Sequence, residues 1–191
     1  MVSLRSAMAV ASTMVGLVVG AILLNEWSRS SVSPSAFASQ AQPKAIPPAT
    51  CPITLPPSEP FIPPAPYPTE HSADGFWLGS EKLWTMRSKG GLWRGYWVMD
   101  AESGIRHEIY YDNVFWWRKG YDWRTENPPE LKVAGKRLDA PAPLFYVNHA
   151  NPAYITIPAM VTGIDIPTVG CWEITGNYKG DKLTFVVWVV P

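Results

Sequence analysis

The chain has 191 residues, room for one domain with additional segments, and its 16 Lys and Arg balance its 16 Asp and Glu. The balance persists over residues 71–191, where thirteen basic residues meet thirteen acidic ones, which excludes the basic surface that nucleic-acid binding requires. Twelve of the 20 prolines lie between Pro34 and Pro68 and seven of the 10 tryptophans between Trp77 and Trp123, giving an apolar start, a proline-rich middle and an aromatic-rich end.

Ala7 to Leu24 carry no charge over eighteen positions. As a helix this run would be about 27 Å long, enough to span the hydrocarbon core of a bilayer. Arg5 precedes it and Glu26, Trp27 and Arg29 follow, a bias that keeps the N-terminus cytoplasmic and exports the remainder. Two fates fit residues 1–27: an uncleaved signal anchor, or a signal peptide cut at the A-x-A-like Ala36-Phe37-Ala38. The long interval from Asn25 to Ala38 and the length of the run favour the anchor. Both place residues 39–191 outside the cytoplasm, with the membrane contacted through residues 7–24. Gly16 and Gly20, one turn after Ser12, read as the small residues common in exported apolar segments rather than as a helix-dimer face. Pro48-Ala49-Thr50 before Cys51 is no apolar lipobox, which argues against a lipoprotein.

From Ser28 to Glu70 neither helical nor strand periodicity is present, and proline dominates after Pro43. Residues 28–50 read as a disordered linker. Residues 51–70 carry Ile53, Leu55, Phe61, Ile62 and Tyr67, apolar side chains that a spacer does not need, so this part is expected to pack on the domain formed by residues 71–191.

After Gly75 the chain consists of short β-rich runs between turn residues. A strand is expected within Phe76–Met86, with a turn at Arg87–Gly91, and another strand over Leu92–Met99 before the turn Asp100–Gly104. Ile105–Tyr111 and Val114–Arg118 read as strands and Gly120–Pro129 as a loop. Glu130–Val133 leads to a turn near Gly135-Lys136. A short strand at Leu144–Val147 interrupts the irregular Pro141–Pro158, and Ala159–Ile166 is a strand stopped by Pro167. Cys171 to Val190 reads as a hairpin around Lys179-Gly180, with Ile174 facing Phe185, Trp172 facing Val187, Cys171 facing Trp188 and Glu173 facing Val186. Its second strand is apolar on both faces and so belongs in the middle of a sheet. No stretch after Leu24 has a helical apolar face, so the fold expected is all-β, an antiparallel sandwich of about seven to nine strands.

Gly170-Cys-Trp-Glu-Ile-Thr-Gly176 followed by Leu183-Thr-Phe-Val186 resembles the ending of a group of uncharacterised bacterial exported or membrane-anchored proteins. Cys51-Pro52, Trp116-Trp117 and Gly135–Pro143 also recur in that group, so the resemblance covers roughly 51–191. More loosely, the ending is similar to the last two strands of immunoglobulin-like sandwiches. It departs from the antibody pattern, since Val169-Gly170 stand where the tyrosine corner would be and the two cysteines are too far apart for the usual inter-sheet bridge. The resemblance implies a bacterial, extracytoplasmic, immunoglobulin-like module and brings no activity with it.

Two cysteines in an exported chain suggest one disulfide, Cys51–Cys171, against the alternative of two free or intermolecular thiols. Cys171 shares its face with Val186 and Trp188, an apolar surface that the tethered proline-rich segment could cover. His71, His107 and His149 are not at ligand spacing, so no metal site is expected, and no cofactor motif is visible. His107-Glu108 near Asp112 is the densest polar cluster and reads as an exposed strand edge. Without a nucleophile elbow a hydrolase is a remote alternative. The expected function is therefore non-catalytic binding of an unknown protein or polysaccharide partner. The alternative is carbohydrate or cell-wall binding on exposed tryptophans, with Trp117, Arg118, Tyr121, Asp122 and Trp123 as the candidate platform.

Overall fold

The computed structural model describes residues 46–153 and 158–191. The apolar run 7–24, its anchor or signal role and the linker up to residue 45 lie outside the described residues. Among those described, no helix is long and apolar enough to cross a membrane.

All regular structure among the described residues is β. In chain order the strands are β1 (Gly75–Ser80), β2 (Leu83–Ser88), β3 (Leu92–Arg94), β4 (Tyr96–Met99), β5 (Arg106–Ile109) and β6 (Tyr111–Trp117). They continue with β7 (Leu131–Arg137), β8 (Phe145–Val147), β9 (Asn151–Ala153), β10 (Ala159–Asp165), β11 (Gly170–Tyr178) and β12 (Asp181–Val190). One sheet has the order β1-β2-β6-β10-β9, the second the order β3-β12-β11-β7-β8, and β4-β5 stands apart as a hairpin. Trp116, Val114 and Met160 of the first sheet pack with Trp172, Ile174, Phe185 and Val187 of the second in one core, which makes the fold a β-sandwich.

The terminal hairpin has the expected register, with Cys171 opposite Trp188, Trp172 opposite Val187 and Ile174 opposite Phe185. Lys179 (φ 50°) and Gly180 (φ 92°) form its two-residue turn, both in the left-handed region that twists the strands correctly. β12 lies inside its sheet, between β11 and β3, and the β3 pairing is parallel, where sequence led us to expect antiparallel pairs only.

Among the described residues, twelve strands replace the seven to nine expected. Phe76–Met86 is part of a hairpin, because Glu81-Lys82 turns the chain between Ser80 and Leu83. Leu92–Met99 breaks at Gly95, where a Cβ would lie 2.7 Å from the Tyr110 ring and 2.8 Å from Glu108 Oε1. The turn expected near Gly135-Lys136 is absent: β7 runs straight through, and Gly135 is required because the Phe145 ring of β8 occupies the place of a Cβ.

The disulfide joins Cys51 to Cys171, so the proline-rich segment is stapled to β11. Thr54 then hydrogen-bonds β12 from both sides of its backbone unit, its N–H donating to Val186 O (3.0 Å) and its Oγ1 accepting from Val186 N–H (2.8 Å). Thr54 thereby occupies the part of the β12 edge that short β3 leaves open. Further on, Phe61 and Tyr67 pack on Trp84, Tyr67 Oη donates to Arg118 O (2.7 Å) and Trp77 Nε1–H donates to Thr69 O (3.0 Å). A second buried cluster of Tyr67, Trp77, Trp84 and Trp117 results on the outer face of the first sheet.

Candidate functional site

The residues singled out from sequence are engaged internally. Trp116 and Trp117 point to opposite faces as strand alternation requires, yet both are buried, Trp117 at 8 % exposure edge-on to Trp77. Arg118 pairs with Asp181 (3.2 Å) and lies over the Tyr178 ring. Tyr121 is buried edge-on to Tyr178, and the Asp122 carboxylate accepts from Arg124 N–H (2.9 Å) to shape its own turn. Trp123 is partly buried against the main core with Arg124 over its ring. Glu126 fixes this loop to the terminal hairpin. Its Oε2 accepts from Tyr178 Oη and Lys179 Nζ, each at 2.6 Å, and its Oε1 from Glu130 N–H (2.9 Å). Burial pushes the Glu126 carboxyl up, but these donors outweigh it and the pKa is lowered. Burial and the Glu126 carboxylate push Tyr178 up to about 12. The Gly120–Pro129 loop is thus an anchored structural element, and no open aromatic platform includes Trp117.

Sequence reading missed a different place, where the first sheet comes apart. β2 and β6 pair only through Trp84–Trp117 and Thr85–Trp116, then diverge. Leu83 and Thr85 face the sandwich interior, so Arg87 on the same strand faces inward too, and Asp112 follows Trp116 and Val114 in the same way on β6. The result is a half-buried Arg87 and an exposed Asp112 on the interior-facing sides of diverging strands. Between them and β3 opens a cleft of about 430 Å³.

At its floor the Arg87 guanidinium lies 4.2 Å from the Phe185 ring centroid and 5.7 Å from that of Trp93. Among the described residues it has no hydrogen bond and no ion pair. No buried side-chain nitrogen or oxygen among them lacks a partner, so the guanidinium nitrogens remain open to the cleft. Burial among the rings lowers the Arg87 pKa to about 10, with the Asp112 charge acting against that shift. Burial raises the Asp112 carboxyl, against the Asn113 backbone N–H and Arg87. Trp93 is held in place by its Nε1–H donating to Tyr110 O (3.0 Å).

Ser72, Asp74, Ser88 and Arg94 complete the polar wall, and Tyr96 and Tyr111 stand at the rim. Asp74 and Arg94, like Arg87, have no ion pair among the described residues. This is a preformed concave site with a half-buried, unbonded cation at its base, suited to binding a small polar ligand. The one signal available in the sequence was alternation: continuing Leu83, Thr85 by two residues puts Arg87 inward, but the expected turn at Arg87–Gly91 obscured it. No group of three or more His, Cys, Asp or Glu among the described residues is placed to hold a metal. Comparison with known protein families, curated proteins and solved structures finds no match.

Proposed function

We propose that the protein is an extracytoplasmic, non-catalytic binding module whose ligand presents an anionic group to Arg87. One observation carries the reading. A guanidinium has been brought among aromatic rings, at a desolvation cost that the Asp112 charge offsets only in part, and no protein group hydrogen-bonds it among the described residues. An anion entering the cleft would supply the missing bidentate partner in a site of low local dielectric. The Cys51–Cys171 disulfide is compatible with an oxidising compartment, and the apolar run 7–24 supports membrane anchorage or secretion. We also read the sandwich as immunoglobulin-like. In support, β8-β7-β11-β12 follows the C′-C-F-G order of such sheets and β6-β10-β9 the B-E-D order. Stacking of sugars on Trp117 and Trp123 has less support, because Trp117 has little exposed surface.

The test is retention of cell-wall polysaccharide by the full chain immobilised in detergent, compared with an Arg87→Met variant of unchanged near-UV circular dichroism. Retention that falls at least tenfold in the variant supports the reading, since a charge-assisted hydrogen bond is worth about 1.5–3 kcal/mol. Equal retention by both proteins overturns it.

A further inference from the structure

We infer that the cleft accepts an acidic saccharide, a sugar ring bearing one carboxylate; this rests on the reading of the Arg87 cleft as the binding site. The walls bear on which anion suits the cleft. Asp74 and Asp112 share the cleft with Arg87 and Arg94, so a phosphate dianion that reaches the Arg87 guanidinium meets two carboxylates as well as a second cation. A single carboxylate fills the Arg87 fork and brings half the charge up to Asp74 and Asp112. Ionised Asp74 and Asp112 can only accept hydrogen bonds, and sugar hydroxyls are neutral donors that satisfy them without adding charge. The hydroxyls of Ser72 and Ser88 act as both donors and acceptors and suit the same polyol.

At the rim Tyr96, 45 % exposed, offers a ring face of the kind that covers the C–H face of a sugar. A volume of about 430 Å³ is at the scale of pockets for molecules larger than acetate or phosphate. Acetate would leave both aspartates and both serines without a ligand partner. A zwitterionic amino acid would answer one aspartate but not the hydroxyls.

The experiment is a calorimetric titration of the full chain in detergent micelles with methyl glucuronide, methyl glucoside, acetate, inorganic phosphate and glycine. The glucuronide is expected to bind saturably and roughly tenfold or more tightly than the glucoside, which lacks only the carboxylate, and than acetate, which lacks the hydroxyls. Arg87→Met should abolish that binding and Arg87→Lys restore part of it. Asp112→Asn should weaken the glucuronide while tightening phosphate, a reversal that simple loss of structure would not produce. Trp97→Ala is the control, since Trp97 alternates with Tyr96 and points to the opposite face of β4, and it should leave affinity unchanged. Phosphate or glycine binding as tightly as the glucuronide, still dependent on Arg87, overturns the saccharide and leaves the anion site standing. Absence of any Arg87-dependent binding overturns both.

Discussion

Replacing Arg87 by Met should make the protein more stable, although it removes two aromatic contacts. Met retains an unbranched stem of similar reach and deletes the charge. Burial lowers the pKa from the ordinary guanidinium value to about 10, and at about 1.36 kcal/mol per unit the folded state bears roughly 3 kcal/mol for keeping this group protonated. Because the folded pKa is the depressed one, that penalty is fully present below about pH 10 and fades only as the pH rises toward the ordinary guanidinium value. Against it stand the contacts with Phe185 and Trp93, about 1–2 kcal/mol together, part of which a thioether over the same rings replaces. The net expectation is a gain of about 1–2 kcal/mol, or a Tm rise of roughly 3–6 °C, measured by urea denaturation and thermal scanning at pH 7. A loss of stability greater than about 1 kcal/mol would refute the reasoning, because it would mean that the guanidinium serves the fold and not a ligand.

Other outcomes follow from the same structure. The disulfide closes a loop of 120 residues, so the Cys51→Ser, Cys171→Ser double variant should lose up to about 5 kcal/mol and redden tryptophan emission as the proline-rich segment lifts from Trp84; an unchanged denaturation midpoint would contradict this. Gly176→Ala should cost about 1–3 kcal/mol, because a Cβ there meets the Trp116 ring at 2.5 Å while Trp116 Nε1–H is fixed by Thr162 Oγ1 at 2.9 Å. Glu126 has a lowered folded pKa, so its contribution is present above the unfolded value of about 4.3 and disappears as pH falls through the folded one. Glu126→Gln should therefore lower stability at pH 7 by roughly 2 kcal/mol and flatten the acid limb of the stability profile, whereas parallel profiles would show that the carboxylate is not the group responsible.

What the chain determines by itself is whatever depends on neighbours close in sequence. The terminal hairpin could be paired residue by residue because Lys179-Gly180 supplies a two-residue turn and strand alternation does the rest. The same alternation placed Trp116 and Trp117 on opposite faces, and the tether from Cys51 to Cys171 followed from two cysteines in an exported chain. Tertiary structure decided the remainder, because it depends on which surfaces meet. Gly135 looks like a turn residue until the Phe145 ring arrives from β8, and Trp117 looks like a stacking platform until Trp77 arrives from β1. Arg87 looks like the first residue of a turn. Only the divergence of β2 from β6, over the rings of Phe185 and Trp93 supplied by the opposite sheet, turns it into the floor of a cleft. Local pattern specifies which way a side chain points; it does not specify what occupies the space into which it points.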